Sequence, residues 1–89
     1  RGERVLRFAI EVTTAGLVSL RLKNGQHVRV WQGREELGFR RGNVRLNLSK
    51  GTHQLILHAG AENLSALISV ELRDVKGSKA VAKLRSGGS

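Results

Sequence analysis

Residues 43–58, NVRLNLSKGTHQLILH, decide the fold of this chain. Apolar and polar residues alternate on both sides of the central Ser49-Lys50-Gly51-Thr52 segment, and the apolar set is Val44, Leu46, Leu48, Leu55 and Leu57. A period of two places such a set on one face of a β-sheet. Gly51 supplies the positive φ that a short turn requires. The stretch therefore predicts two strands joined as a β-hairpin.

The same alternation continues along the chain in both directions. It predicts further strands over residues 5–13, 17–22, 27–32, 64–74 and 79–85. Asn24-Gly25 is the strongest short-range hairpin signal, so residues 17–22 and 27–32 are expected to pair. Gln32-Gly33-Arg34 predicts another tight turn, and residues 35–42 predict a loop with one short edge strand. The fold class predicted is all-β, an antiparallel, jelly-roll-like β-sandwich of about seven to eight strands.

Length and composition bound the class of protein. With 89 residues the chain is one domain at most, predicted over residues 1–85, and residues 86–89 have the composition of a flexible tail. Because it begins at Arg1 and contains no methionine, we interpret it as a piece of a longer protein. The absence of cysteine excludes disulfides, thiolate metal sites and covalent haem attachment in this piece. No apolar run approaches the ~18 residues of a membrane-spanning helix.

The formal charge of +9, from 16 basic and 7 acidic residues, is large for so small a domain. Such a field favours anionic partners, namely nucleic acid, acidic polysaccharide, an anionic membrane or an acidic neighbouring domain. The alternative is a solvated basic surface with no dedicated partner, since net charge governs association and not fold or chemistry.

The outward-facing residues of the predicted strands and their turns supply the candidate ligand-binding set. Trp31, the only tryptophan, presents an indole that stacks on sugar rings or bases; alternatively, it covers a sheet face or packs against the parent protein. If the two predicted hairpins share a sheet, outward arginines form one basic face suited to bidentate contact with sulfate, carboxylate or phosphate. The candidate residues are Trp31, Arg29, Arg21, Arg45, Arg34, Arg40 and Arg41.

Catalytic and metal-binding patterns are missing from the sequence. His27, His53 and His58 are not spaced as neighbours on a strand face and no carboxylates cluster with them, so no metal site is predicted. His53 and His58 are expected on the sheet surface. There is no Gly-x-Ser-x-Gly elbow and no glycine-rich phosphate loop, and Glu35-Glu36 would point to opposite sides of an extended chain. We therefore predict no catalytic residue, no cofactor in this piece and no enzyme activity.

The order of these motifs resembles a family of small β-sandwich accessory modules. Such modules occur in large secreted or periplasmic proteins of planctomycetes, beside c-type cytochrome or dehydrogenase domains, and are distantly similar to protective-antigen-like sugar-binding domains. The resemblance covers residues 17–84, and calcium binding is not carried over because Lys23-Asn24-Gly25-Gln26 lacks the carboxylates of calcium-binding relatives. The matching motifs are Gly16-Leu17-Val18, Val28-Arg29-Val30-Trp31-Gln32-Gly33-Arg34, residues 44–58 and Val70-Glu71-Leu72-Arg73-Asp74-Val75-Lys76-Gly77.

The resemblance implies a non-catalytic accessory module of a larger periplasmic or secreted bacterial protein, whose haem c would lie outside this piece. The module is expected to dock on parent-chain domains or an acidic protein partner, or to bind an acidic polysaccharide. Outward-facing Leu17, Ile56 and Leu67 are expected to form an apolar docking patch. The alternative is a polyanion- or nucleic-acid-binding domain, which the charge favours but which no RNP-like aromatic pair, helix-turn-helix or zinc finger supports.

Overall fold

The computed structural model describes residues 4–23, 28–60 and 69–86, with the backbone alone at residues 4 and 86. Two antiparallel sheets enclose one core, so the predicted all-β sandwich is confirmed. Among the described residues there are eight strands and no helix. The strands are β1 (Arg4–Thr14), β2 (Gly16–Lys23), β3 (Val28–Gln32), β4 (Glu35–Glu36), β5 (Asn43–Leu48), β6 (Gly51–Ala59), β7 (Ser69–Asp74) and β8 (Val81–Ser86).

The strands divide into a five-stranded sheet of order β4-β3-β6-β1-β8 and a three-stranded sheet of order β5-β2-β7. All hydrogen-bonded neighbours run antiparallel. β1 pairs with β6 and β8, while β2 pairs with β5 and β7. The pair β1–β2 therefore lies between the pairs β5–β6 and β7–β8, and each of these three pairs contributes one strand to each sheet.

We call such a pair an arch, because its connection crosses between the sheets instead of joining hydrogen-bonded neighbours. Ala15 alone connects β1 to β2, and Ser49-Lys50 connects β5 to β6. Gly16 and Gly51 follow these connections with φ of 151° and 130°. Glycine adopts these dihedrals without a steric clash between Cβ and the backbone. The chain can therefore change sheets within one or two residues.

The predicted hairpin over residues 43–58 has the right strands but the wrong pairing. β5 hydrogen-bonds to β2, whereas β6 lies between β1 and β3 in the other sheet. The predicted pairing of residues 17–22 with 27–32 is also wrong, since β2 and β3 lie in different sheets. In a hairpin, the apolar faces of both strands lie in one sheet and are covered by the second sheet. In an arch, the two apolar faces lie in different sheets and pack against each other. Both arrangements bury the same residues, so alternation could not distinguish a hairpin from an arch.

The core lies between the two sheets and is built from aliphatic side chains. Two positions in β1 differ from the exposure that alternation predicts, in which Leu6 shares the inward phase of Ile10 and Ala9 faces outward. Ala9, predicted outward, is only 5% exposed, and the register places it between the longer residues Gln54 and Arg85. Leu6, predicted inward, is 41% exposed because it lines an open groove of about 330 Å³ at the side of the sandwich. The fully buried large side chains are Ile10, Leu20, Val30, Leu55 and Leu57.

Several predicted turns and strands are present. Gly33 has a φ of 62° in the tight turn between β3 and the two-residue edge strand β4. The Ser78 amide donates to the Val75 carbonyl oxygen at 2.9 Å, which closes the turn between β7 and β8. The last predicted strand is β8. The Asn24-Gly25 turn, residues 64–68 of the predicted strand over 64–74, and residues 87–89 of the tail lie outside the described residues.

The predicted apolar docking patch is divided between the two sheets. Leu17 is 39% exposed in β2 of the three-stranded sheet. Ile56 is half-buried in β6 of the five-stranded sheet. Leu67 lies outside the described residues. Since two of the three residues belong to opposite layers of the sandwich, they do not form one patch.

Gly16 tests the arch geometry, with Gly51 as its matched control. Both have positive φ, but a Cβ on Gly16 would lie 3.0 Å from the Ser78 hydroxyl oxygen and 3.1 Å from the Ala80 Cβ, whereas a Cβ on Gly51 meets nothing within 4 Å. Backbone strain alone costs about 1–3 kcal/mol. We expect Gly51→Ala to lower the free energy of unfolding by about that amount, and Gly16→Ala to lower it further, as measured by urea denaturation. Equal losses would contradict the close approach of the β7–β8 connection to Gly16.

Candidate functional site

The outer face of the three-stranded sheet concentrates basic side chains. Successive residues of a strand point to opposite faces, so the residues that alternate with the buried Val18, Leu20 and Leu22 face outward. The register places Ser19 between Arg45 and Arg73, and it places Arg21 between Asn43 and Glu71. We call this surface the basic face; it comprises Ser19, Arg21, Lys23, Asn43, Arg45, Glu71 and Arg73.

A cleft of about 520 Å³ opens between the basic face and the segment that precedes β5. Among the described residues, no carboxylate lines it, and two guanidinium groups do. The guanidinium group is planar, permanently charged and able to bind a carboxylate, sulfate or phosphate through two parallel hydrogen bonds. A hydroxyl and a side-chain amide add neutral hydrogen-bonding groups beside the arginines. The lining residues are Ser19, Gly38, Arg40, Asn43, Val44 and Arg45.

The chain enters β5 through a tight turn at residues 40–43. The Arg40 amide donates to the Asn43 carbonyl oxygen at 2.8 Å, and the Asn43 amide donates back to the Arg40 carbonyl oxygen at 2.9 Å. The two central residues, Arg41 and Gly42, have φ of 53° and 80°, which is the type I′ hairpin geometry. The Leu22 amide donates to the Gly42 carbonyl oxygen at 2.7 Å, so the turn is tied to β2. The sequence did not reveal this turn, because Arg-Gly is not one of the usual type I′ pairs.

The ion pairs among the described residues do not include the arginines of the cleft. Glu71 lies 4.0 Å from the Lys23 Nζ and 3.6 Å from the Arg73 Nε. On the other sheet, Glu36 lies 3.8 Å from the Arg29 Nε, and Glu11 accepts a hydrogen bond from Arg85. In the described part of the chain, no carboxylate lies within 4.0 Å of the guanidinium groups of Arg21, Arg40, Arg41 and Arg45. These groups are therefore available to an external anion.

The outer face of the five-stranded sheet has a mixed composition. Trp31 is half-buried there, between Glu36 of β4 and Ile56 of β6 in the register. Arg85 is paired with Glu11, and their hydrogen bond and charge attraction raise the pKa of the arginine. This face therefore combines one indole and an aliphatic neighbour with cations, two of which, Arg29 and Arg85, are paired with carboxylates.

The structure divides the predicted ligand-binding residues between the two sheets. The condition for one shared basic face, that the two predicted hairpins lie in one sheet, is not met, because β2 and β5 belong to one sheet and β3 and β6 to the other. Packed sheets are about 10 Å apart, so Trp31 cannot stack on a group held by Arg45. Arg21, Arg40, Arg41 and Arg45 accompany the three-stranded sheet, while Arg29, Trp31 and Arg34 accompany the five-stranded sheet.

Sequence reasoning missed Ser19, Asn43 and Arg73, which belong with the cleft and its surroundings. Ser19 and Asn43 line the cleft, and Arg73 flanks Ser19 from β7, opposite to Arg45. Alternation assigned Arg73 and Asn43 to an outward face. Their proximity to Ser19 and Arg45 depends on the pairing of β2 with β5 and β7, which no local signal in the chain specifies.

His53 has a structural role. It follows the phase of the buried Leu55 and Leu57 instead of facing outward, so the expectation of a surface position is wrong for this residue. Its Nε2 lies 2.7 Å from the Ser49 carbonyl oxygen, and its Nδ1 lies 3.3 Å from the Gln32 side-chain amide nitrogen. The ring therefore links the β5–β6 connection to the end of β3.

In the parts of the chain that the structure describes, no three His, Cys, Asp or Glu side chains are grouped so that they could hold a metal ion. No helix in the same residues has the length and apolar character needed to span a membrane.

Comparison of the chain with protein-family models, with curated proteins and with solved structures gives no match. The resemblance to accessory modules of planctomycete proteins therefore stays a prediction, and the assignment of a function depends on the geometry of the basic face.

Inorganic sulfate can be used to locate the anion-binding residues. Because the cleft has two guanidinium groups and no carboxylate, we expect titration with sulfate at constant ionic strength to shift the backbone amide resonances of Ser19, Arg40, Asn43 and Arg45 in ¹⁵N-edited NMR spectra. The indole N–H resonance of Trp31, on the other sheet, should not move with them. Shifts spread evenly over the arginines of both sheets would contradict a localised site.

Proposed function

We propose that this chain is a non-catalytic binding module that holds an acidic polysaccharide on the basic face of its three-stranded sheet. The observation that supports the proposal is the open cleft that Arg40 and Arg45 line together with Ser19 and Asn43, with no carboxylate among its described lining residues. Guanidinium groups bind the sulfate or carboxylate groups of such a polymer, and the hydroxyl and amide side chains bind its neutral hydroxyl groups.

The composition of the basic face favours a polysaccharide over nucleic acid. Single-strand-binding proteins combine a positive groove with aromatic side chains on which bases stack. The outward residues of the described part of the three-stranded sheet include no aromatic side chain, since Trp31 lies on the other sheet and Phe39 packs against the core. Polar hydroxyl and amide groups fill the spaces between the arginines instead. A generic polyanion- or nucleic-acid-binding domain is the second candidate, and the formal charge of +9 is the observation that favours it.

The cellular setting of the proposal comes from the sequence resemblance. The module would belong to a larger periplasmic or secreted bacterial protein, possessing a haem c or dehydrogenase domain elsewhere. An acidic domain of the parent chain, or a separate acidic protein, would compete for the same arginines, because both ligands present carboxylates. In such a protein the module would bring the catalytic or electron-transfer domain to an acidic polymer.

Affinity electrophoresis tests the proposal with four polymers in the gel: neutral dextran, dextran sulfate, polygalacturonate and duplex DNA. Each gel is run at low salt and at ~0.3 M salt, where binding by charge alone weakens sharply. We expect retardation by one acidic polysaccharide to persist at high salt, and retardation by DNA to be lost. Loss of all retardation at high salt would contradict the polysaccharide assignment and favour a generic polyanion binder.

Paired variants locate the binding face. Arg45→Gln removes a charge from the cleft, and Arg7→Gln removes one from the exposed surface of the five-stranded sheet. Because a hydrogen bond to a charged group contributes about 1.5–3 kcal/mol, we expect Arg45→Gln to weaken polysaccharide binding about tenfold or more. Arg7→Gln and Trp31→Ala should have much smaller effects. Strong loss of binding in Trp31→Ala would instead assign the ligand to the five-stranded sheet.

A further inference from the structure

Arg41 occupies a backbone conformation that is unfavourable for arginine. Its φ of 53° is the one positive value at a non-glycine residue in the described part of the chain. For residues with a Cβ, the left-handed conformation brings that atom too close to the following carbonyl oxygen. Asn and Asp offset the strain with a short polar side chain that bonds locally, which the long arginine side chain does not do. An asparagine or glycine would therefore suit the fold better at this position.

The two central residues of the turn differ in what the fold requires of them. A Cβ on Gly42 would lie 2.9 Å from the Leu22 carbonyl oxygen, so glycine is sterically necessary there. Arg41 contributes its carbonyl oxygen, which accepts a hydrogen bond of 3.3 Å from the Asn43 side-chain amide. Any residue supplies that carbonyl. The Arg41 side chain is exposed, and no described carboxylate lies within ion-pair distance of it.

Arg41 is thus strained in the fold, and its guanidinium group has no partner within the described residues. Strained backbone of this kind is found at binding sites, where the surrounding structure holds it in place. Here the holding contacts are the two hydrogen bonds between Arg40 and Asn43 and the bond from Leu22 to Gly42. The turn therefore holds Arg41 on a rigid support. Arg41 does not line the cleft itself, but its neighbours Arg40 and Asn43 in the same turn do.

We infer that Arg41, in the turn that borders the cleft, is a specificity-determining residue and binds an oxyanion substituent of the polysaccharide. The substituent is a sulfate half-ester or a uronate carboxylate, since both accept the two parallel hydrogen bonds of a guanidinium group. Arg40 and Arg45 bind the polymer within the cleft, and Arg41 contacts the charged group beside it. The inference deepens the proposed function and rests on it.

The substitution Arg41→Asn separates the role of the side chain in binding from its effect on the fold. Asparagine tolerates the left-handed conformation, so we expect the thermal midpoint of the 89-residue chain to rise by a few degrees. Affinity for the acidic polysaccharide should fall about tenfold or more, as expected for the loss of a charge-assisted contact. Glycine also suits this turn, so Arg41→Gly should likewise raise the thermal midpoint and lower the affinity for the polysaccharide. Calorimetry measures both quantities, with dextran sulfate and polygalacturonate as separate ligands that distinguish sulfate from carboxylate.

Arg34→Asn is the matched control. Arg34 is exposed in the tight turn between β3 and β4, so its substitution removes the same charge from a turn that lies away from the basic face. We expect this variant to lose less than about threefold in affinity, since it removes only a long-range attraction. Equal losses in Arg41→Asn and Arg34→Asn would overturn the inference, because net charge alone would then account for both.

The outcomes distinguish this inference from the function on which it rests. If the unmodified chain binds neither acidic polysaccharide at ~0.3 M salt, the proposed function and the role of Arg41 both fail. If the chain binds and Arg45→Gln weakens binding while Arg41→Asn does not, only the role of Arg41 fails. Lower stability together with unchanged affinity in Arg41→Asn would show that the arginine serves the fold, which also overturns the inference.

Discussion

The sandwich depends on a chain that crosses between sheets through very short connections at one end of the molecule. One residue joins β1 to β2, and the β7–β8 connection packs directly against Gly16 at that crossing. With so little chain available, the apolar face of β1 must turn toward the apolar face of β2. The arches β5–β6 and β7–β8 lie on opposite sides of this central arch. Each of them adds one strand next to β1 in one sheet and one strand next to β2 in the other. The core is therefore a product of three stacked arches.

This arrangement also determines what the outer faces can do. Every strand that buries one set of residues exposes the alternating set, and the two sheets expose sets of different character. On the three-stranded sheet the register combines arginines with short polar residues and one carboxylate. On the five-stranded sheet it combines an indole and aliphatic residues with cations, two of which are paired with carboxylates. A single ligand can therefore use the arginines of the basic face or the indole, and the cleft that Arg40 and Arg45 line favours the basic face.

The strands, their phase and several turns could be predicted from local sequence, because period-two alternation and glycine dihedrals are local properties. The pairing could not. Leu46 and Leu55 would share one face if β5 and β6 formed a hairpin, and they share one core in the arch that they do form. The Asn24-Gly25 signal failed similarly, since β2 is occupied on both sides by β5 and β7 and has no edge left for β3. Because the candidate site follows from the pairing, the sequence identified its arginines without grouping them.

The charge of the basic face has an energetic consequence for the folded protein. Arginines gathered on one face without described carboxylate partners repel one another, and this repulsion opposes the compact state. The left-handed backbone at Arg41 adds further strain. Anion binding reduces the repulsion because it compensates the charge, and the contact of the Arg41 side chain with the anion offsets the backbone strain without removing it. A ligand that binds only the folded chain stabilises it in proportion to the logarithm of its concentration. The features that weaken this small sandwich when it is free are therefore those by which a polyanion would stabilise it.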